Sequence, residues 1–309
     1  KKITKLGKKL KFILLTKQKI ILVKFYFRGE LKMKEKNKYP NYSVLMSIYK
    51  KDNVEWLKYA VDCMLNQTIK PNEFVIVEDG PLTEELNEVI SSYSKNSNIF
   101  NIIKIKKNGG LGPALKLGVE KCNNEWIARM DADDYSPKDR IEKQFKVLEK
   151  YPDIGIVGSN AIEFCNDIEN VISTVNLPEK PEAINKFAKR RCPFRHSGIL
   201  YRKSEILRAG NYQECYLFED YDLYARMLMK GTKGYNVQEN LLCVRVNNDF
   251  YKRRGGIKYL KSVLKAKKRF YKMGFYSFKD YFISSFAHIT VCLMPNKLRD
   301  FIYRKFLRK

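Results

Sequence analysis

"EWIARMDADDYSPKDR", residues 125–140, reads as a short buried strand that runs directly into three aspartates within four positions. The carboxyl end of a strand is where an open parallel sheet binds its ligands. Residues two apart in extended chain point to the same side, so Asp131 and Asp133 can face one ion or ligand together while Ala132 turns away and keeps the turn small. Clustered carboxylates raise one another's pKa unless a cation or hydrogen-bond donors offset their charge. Oxygen ligands with room left for water and phosphate oxygens suit Mg2+ or Mn2+. Taken alone, the same residues also fit a helix N-terminus whose acids favour its dipole. The rest of the chain has to decide between these readings.

Upstream, strand-like and helical runs alternate. "YSVLMSIY" (42–49) precedes "NVEWLKYAVDCMLNQT" (53–68), where Val54, Leu57, Ala60, Val61, Met64 and Leu65 recur at helical spacing. "EFVIVEDG" (73–80), helical "TEELNEVISSYS" (83–94), "IFNIIKI" (99–105) and helical "GLGPALKLGVEKC" (110–122), with Pro113 in its first turn, continue the pattern. Downstream, "SPKDRIEKQFKVLEKY" (136–151) predicts a helix with Ser136 as N-cap and Pro137 at its first position. A fifth strand, "IGIVGSNAIEF" (154–164), follows. After Glu169 the alternation loosens: a strand and a helix from near Pro181, a strand in "HSGILYRK" (196–203), a helix in "FEDYDLYARMLMKG" (218–231) and a strand in "NLLCVRV" (240–246). The sum predicts an α/β fold, a mostly parallel sheet flanked by helices.

The formal charge of +26 is concentrated at the ends. Residues 1–38 carry a net +12 and residues 251–309 a net +15, leaving −1 for 39–250. We therefore expect three parts: a basic amphipathic N-terminal segment (1–38), a near-neutral central domain (39–250) and a basic helical tail (251–309). Lysines mixed with Phe, Ile and Leu at roughly helical spacing suit a helix lying on an anionic membrane surface. No nucleic-acid-binding motif accompanies the charge, so nucleic acid is not an expected partner. The longest uncharged stretch, Tyr281 to Asn296, is shorter than the ~20 apolar residues of a spanning helix, and neither a transmembrane helix nor a signal peptide is expected. Seven scattered cysteines without a CxxC pair support neither a disulfide framework nor a zinc site, which fits a reducing cytoplasm.

Two further acid clusters join the first. Glu78 and Asp79 end the second strand. Glu219, Asp220 and Asp222 open a helix among Phe218 and Tyr221, where partial burial raises a carboxylate's pKa and makes it a competent base.

With these on the page the whole chain resembles the family 2 glycosyltransferases, and within them the bacterial capsule, exopolysaccharide and O-antigen enzymes of the amylovoran-biosynthesis type. The resemblance rests on "YSVLMSIYKKDN", "LNQTIKPNEFVIVEDGPLTEEL", "NGGLGPALKLGVEKCNNEWIARMDADD", "PDIGIVGSN", "CPFRHSGILYRK" and "YLFEDYDLYARMLMKG", in order over about residues 41–250. It implies the nucleotide-sugar-binding GT-A fold with a C-terminal helical extension. It also implies inverting transfer of a sugar from a nucleoside-diphosphate donor, a UDP-sugar favoured, with Mn2+ or Mg2+. By resemblance Asp133 is the main metal ligand and Asp131 touches ribose or metal-bound water, so the two form a DXD pair. Glu78 and Asp79 match the acids that read the nucleotide, although "VEDGP" stands where many members have "DDGS". Ser47, Tyr49 and Asn53 would line the base pocket, Asp220 would deprotonate the acceptor hydroxyl, and Glu219 would position the acceptor. His196 occupies the place of a third metal or diphosphate contact, and Arg245, Arg253 or Arg254 that of a lid. The expected acceptor is a glycan or lipid-linked oligosaccharide, with the protein peripheral on the inner face of the cell membrane.

Rival readings fare worse. A dinucleotide oxidoreductase needs G-x-G-x-x-G after a strand, and "GLGPAL" (110–115) lacks the last glycine. From a different class, a non-catalytic membrane-associated scaffold keeping the same fold is the alternative; the presence of Asp79, Asp131, Asp133 and Asp220 argues against it.

Overall fold

The computed structural model describes residues 38–246 and 256–295. The chain divides into two units, residues 1–40 and 41–309, and the sheet belongs to the second. The expected N-terminal amphipathic segment, save its last residue, and the candidate lid residues Arg253 and Arg254 lie outside the described residues.

In chain order the elements are β1 (Tyr42–Ile48), α1 (Val54–Leu65), β2 (Glu73–Asp79), α2 (Glu84–Asn96), β3 (Phe100–Ile105), α3 (Leu111–Lys121), β4 (Trp126–Arg129) and α4 (Arg140–Lys150). Then come β5 (Ile154–Phe164), β6 (Val171–Val175), α5 (Pro181–Phe187), a 3-10 turn (His196–Gly198), β7 (Leu200–Arg202), α6 (Lys203–Arg208), α7 (Glu219–Met229), β8 (Lys233–Arg245), α8 (Gly256–Lys272) and α9 (Phe278–Leu293). The strands form one sheet in the order β3-β2-β1-β4-β7-β5-β6, with β8 also paired to β5. β1 to β4 are mutually parallel. β7 runs antiparallel between β4 and β5, and β8 is parallel to β5.

The strand pleat assigns the two faces. Leu45, Val75 and Val77 pack with Ala114, Leu115 and Val119 of α3 and Leu223, Tyr224 and Met227 of α7. α3 lies so close that a Cβ on Gly118 would stand 2.4 Å from Leu45 Cδ1. Residues of the other parity face the opposite layer: Tyr42 meets Phe145 of α4 edge-on, and Phe74 stacks on Phe100, which touches Tyr93 of α2.

Three local expectations are corrected. Ser136 and Pro137 do not start a helix; α4 begins at Arg140 after Asp139. Tyr135 is held in a two-way backbone bridge to Cys243 of β8, and the chain turns through Pro137 before it can wind. Only Leu200–Arg202 of "HSGILYRK" is strand, because Lys203 already opens α6. The last strand begins at Lys233, well before Asn240.

Residues 256–295 pack into the same unit as the sheet. Arg269 of α8 donates from Nε to Asp222 of α7 at 2.5 Å, and the Phe270 ring meets Tyr221 edge-on at 4.8 Å. Tyr276 and Tyr221 join hydroxyls at 2.9 Å. Among the described residues no helix is long and apolar enough to cross a membrane.

Candidate active site

The parallel strands β1, β2 and β4 open their carboxyl ends onto one edge, and the acids gather there. Arg129, fully buried at the end of β4, donates its guanidinium to the Met130 carbonyl and the Asp131 carboxylate. Arg140, equally buried, donates to the carbonyls of Ser197 (3.1 Å) and Arg129 (3.2 Å). Two interior arginines thus brace the aspartate loop from beneath.

The aspartates differ sharply. Burial raises the Asp131 carboxyl, but the buried Arg129 guanidinium outweighs it and holds the group below the usual carboxylate range. Asp133 lies at the exposed rim, and surrounding protein followed by the Asp131 charge pushes it up to about 6. Asp134 is buried and, through desolvation and then its two neighbours, raised well above its ordinary value. Its oxygens accept from the Ser197 hydroxyl and from Arg245 N at 3.0 Å. Arg245 also donates from Nε to the Asp133 carbonyl (3.2 Å) and from Nη1 to that of Asn166 (2.6 Å), with its guanidinium 4.5 Å from the Trp56 ring centre. A residue expected as a lid is thereby engaged as a clamp on the loop.

Asp220 stands at the start of α7, its Oδ1 accepting from Tyr221 N at 2.7 Å. Burial, then Glu219 and, more weakly, Asp131, raises it to about 6. The Asp131 charge is among those that act on Asp220, so the loop after β4 and the start of α7 lie near each other. Glu219, half-buried and also raised by desolvation, packs against α3, where a Cβ on Gly112 would stand 2.9 Å from its Cγ. His196 Nε2 is 2.9 Å from the Tyr212 hydroxyl, itself 3.1 Å from that of Tyr201. Burial and then Arg129 push the imidazole down to about 3, so it is neutral, the form that ligates metals.

The remaining predicted residues are held in different ways. Asp79 is buried and held by the loop before α3: Oδ1 accepts from Gly109 N (2.7 Å), and Oδ2 from Gly110 N (2.9 Å) and Asn108 Nδ2 (2.9 Å). Gly80 permits this closure, with φ of +88° and a site for Cβ only 2.7 Å from Asn108 N. Glu78 is buried with Lys104 Nζ at 3.3 Å. Ser47 is half-buried and Tyr49 exposed. Asn53 caps α1, its Oδ1 accepting from Glu55 N and Trp56 N at 3.0 and 3.1 Å.

Sequence reading missed Asp52. Its Oδ2 accepts from Tyr49 N at 2.8 Å, and burial first, then the charges of Asp133 and Asp131, raise it to about 7 against that hydrogen bond. It belongs to the same acidic edge. In sequence it is one more polar residue of the turn "KKDN", and nothing local marks it as facing the aspartates.

No group of three or more His, Cys, Asp or Glu among the described residues forms a closed metal cage. The donor set instead fits a hard divalent ion that takes one or two carboxylates and fills its shell with water and phosphate oxygens. Asp131 is ionised for that task, and the acids whose pKa values are raised, Asp133 and Asp52, mark a place where negative charge is under-compensated.

Comparison with known proteins agrees with this architecture. Residues 43–210 match the family model "Glycosyl transferase family 2". The chain is 37% identical over 272 residues to an Escherichia coli UDP-Gal:alpha-D-GlcNAc-diphosphoundecaprenol beta-1,3-galactosyltransferase, covering 87% of this chain and 98% of that protein. It is 34% identical over 267 residues to an amylovoran biosynthesis glycosyltransferase of Erwinia amylovora, covering 85% and 98%. In fold it is similar to a Pyrobaculum calidifontis mannosyltransferase solved with GDP-Man and Mn2+ (TM-score 0.60, 14% identity, 90% of this chain and 79% of that one). It is also similar to S. aureus TarS 1-349 solved with UDP-GlcNAc (TM-score 0.58, 13% identity, 86% and 71%). The GT-A fold and the acid-lined edge therefore belong to an enzyme: the chain is a member of glycosyltransferase family 2, an inverting family.

Proposed function

We propose that this enzyme transfers a sugar from a UDP-sugar, with inversion and with Mn2+ or Mg2+, to a hydroxyl of a lipid-diphosphate-linked glycan in surface-polysaccharide assembly. What supports the reading is the gathering of acids at the carboxyl ends of the parallel strands, Asp131 braced by the buried Arg129 and Asp133 at the rim, with the part-buried Asp220 at the start of α7 close enough to feel the Asp131 charge. The relative that acts on a diphosphoundecaprenol-linked sugar supports the acceptor class, and its UDP-Gal donor supports the nucleotide.

Asp131 and Asp133 hold the cation together with the donor diphosphate, and His196 supplies a neutral nitrogen at the inner wall. When bound, the cation offsets the charge that develops on the departing nucleoside diphosphate. Ser47, Tyr49 and Asn53 line the base pocket, with Glu78 beside them. Asp79 keeps one acceptor position open toward the nucleotide, since three of roughly four carboxylate lone-pair sites already take donors. Asp220, raised to about 6, is ionised at neutral pH yet more basic than an ordinary carboxylate, and it takes the acceptor's proton as that oxygen attacks the anomeric carbon. Glu219 orients the acceptor. The basic ends, residues 1–38 and 251–309, hold the enzyme at the anionic inner face of the membrane.

The test is a thermal-shift titration of the full chain with UDP-, GDP- and dTDP-sugars, with Mn2+ and again with EDTA. Stabilisation by UDP-sugars that EDTA removes is expected. Equal stabilisation with and without the cation would sink the metal assignment, and no response to any donor would sink the donor site.

A further inference from the structure

α9 is built inside out. Its face toward the protein carries Ser284 and Ser285, both buried, with His288 and Cys292. The buried Lys267 of α8 donates to the carbonyl and the hydroxyl of Ser284, and its Nζ lies 2.9 Å from His288 Nδ1. The opposite face presents Phe278, Phe282, Phe286 and Leu293, which are 68, 62, 65 and 62% exposed, with Ile283 beside them at 41%. Their spacing of four, four and seven puts them on one stripe. A helix resting on a globular core under water has the reverse arrangement.

The neighbouring helix adds charge. Lys258, Lys261, Lys265, Lys268 and Lys272 are all exposed on α8, at alternating spacings of three and four that align them along one face. Residues 251–309 as a whole carry a net +15. An exposed aromatic stripe within a segment of net +15 is complementary to an anionic bilayer, whose acyl boundary takes the rings and whose surface charge attracts the basic segment. A second copy of the chain would bring two such positive segments together.

We propose that the outer face of α9 is a docking surface for an anionic lipid bilayer, with Phe278, Phe282, Phe286 and Leu293 inserted at the acyl boundary and the positive charge of the 251–309 segment drawing it to the surface. This deepens the reading of a lipid-linked acceptor by naming the surface that meets the lipid. α8 is fastened to α7 through Arg269 on Asp222 and Phe270 on Tyr221. Docking the hairpin therefore sets the height and tilt of the helix that carries Asp220.

The experiment uses the full chain, co-sedimented with phosphatidylcholine vesicles with and without phosphatidylglycerol. Binding that needs phosphatidylglycerol and weakens with salt is expected. Phe282→Ser with Phe286→Ser should lower the vesicle partition coefficient by about tenfold for each ring removed. A second variant, Phe282→Trp, keeps the ring and reports its depth. Its added emission, over the background of Trp56 and Trp126, should shift blue on vesicles and be quenched by lipids brominated on the acyl chain. Unchanged emission with vesicles, or a double-serine protein that binds like the wild type, overturns the proposal. A blue shift without vesicles that grows with protein concentration also overturns it, since a second copy would then cover the stripe. Metal-dependent stabilisation by the donor should be unchanged in the double-serine protein. Its absence from the wild type would count against the catalytic reading and leave the docking surface standing.

Discussion

The loop after β4 and the start of α7 carry nearly the same acidic signature, "DADD" and "EDYD", and the fold splits each in the same way. In each cluster two acids keep some exposure and are the proposed site residues, Asp131 with Asp133 and Glu219 with Asp220, and one is buried. The inward acids are compensated differently. Asp222, fully buried, sits between two guanidiniums, Arg226 Nε at 2.8 Å and Arg269 Nε at 2.5 Å. Asp134 has a hydroxyl and one backbone N–H but no ion pair among the described residues, and burial followed by the charges of Asp133 and Asp131 raises its carboxyl. A buried carboxylate is kept ionised by a paired cation or drifts toward its protonated form without one. The first arrangement builds a joint between helices, and the second a neutral peg under a loop.

The sharpest separation of pocket acids from inward acids is kinetic. Asp220→Asn is expected to lower kcat by about 10²- to 10⁴-fold while the donor still shifts the melting temperature. Asp133→Asn should lose transfer and the metal-dependent shift together. Full transfer by either variant would remove that residue from its assigned role.

Stability should separate the two inward acids. Asp222→Asn leaves two guanidiniums without their anion and should cost about 3 kcal/mol in a denaturant titration, at the low end of the range because Arg269 is partly exposed. Asp134→Asn resembles the protonated state the site already favours, so a change within ~1 kcal/mol is expected. Equal costs would erase the contrast.

The pH dependence tests the pocket acids as a group. Asp133 and Asp220 at about 6 and Asp52 at about 7 bind protons more readily in the fold than in the unfolded chain. Their contribution is most favourable below the ordinary carboxylate value and is lost as pH rises through 6 to 7; Asp131, lowered, contributes oppositely. The melting temperature of the metal-free, donor-free protein should therefore fall across that window. Asp52→Asn, the smallest effect, should flatten its upper end. The kcat/KM for transfer should rise with pH and level off above about 6, the value of Asp220. A profile flat from pH 5 to 8 would argue against a carboxylate base.

The strands and acid clusters were legible in the sequence because alternation and burial are local properties: β2, β4 and β5 lie where the apolar runs put them. What escaped depends on contacts between distant residues. The start of α4 is set by the bridge from Tyr135 to Cys243, more than a hundred residues away. The Asp52 carboxyl titrates high because the fold buries it and then brings the charges of Asp133 and Asp131 to bear on it. Asp222 looked like a third member of its cluster until Arg269, 47 positions on, claimed it. The polarity of α9 was visible as composition, but which face met the protein was decided by Lys267 on another helix.

The loop "NGG" before α3 looks like a cradle for a phosphate, with glycines, exposed backbone N–H groups and the positive end of a helix. In this molecule the cradle is filled by an anion of the chain's own making. The Asp79 carboxylate takes the N–H groups of Gly109 and Gly110, as a phosphate oxygen would in a dinucleotide-binding protein. The helix end is thus electrically spent before any substrate arrives. On the proposed reading, the negative charge of a nucleoside diphosphate is then left to a cation at Asp131 and Asp133, and a demand for metal would follow from a carboxylate that never touches it.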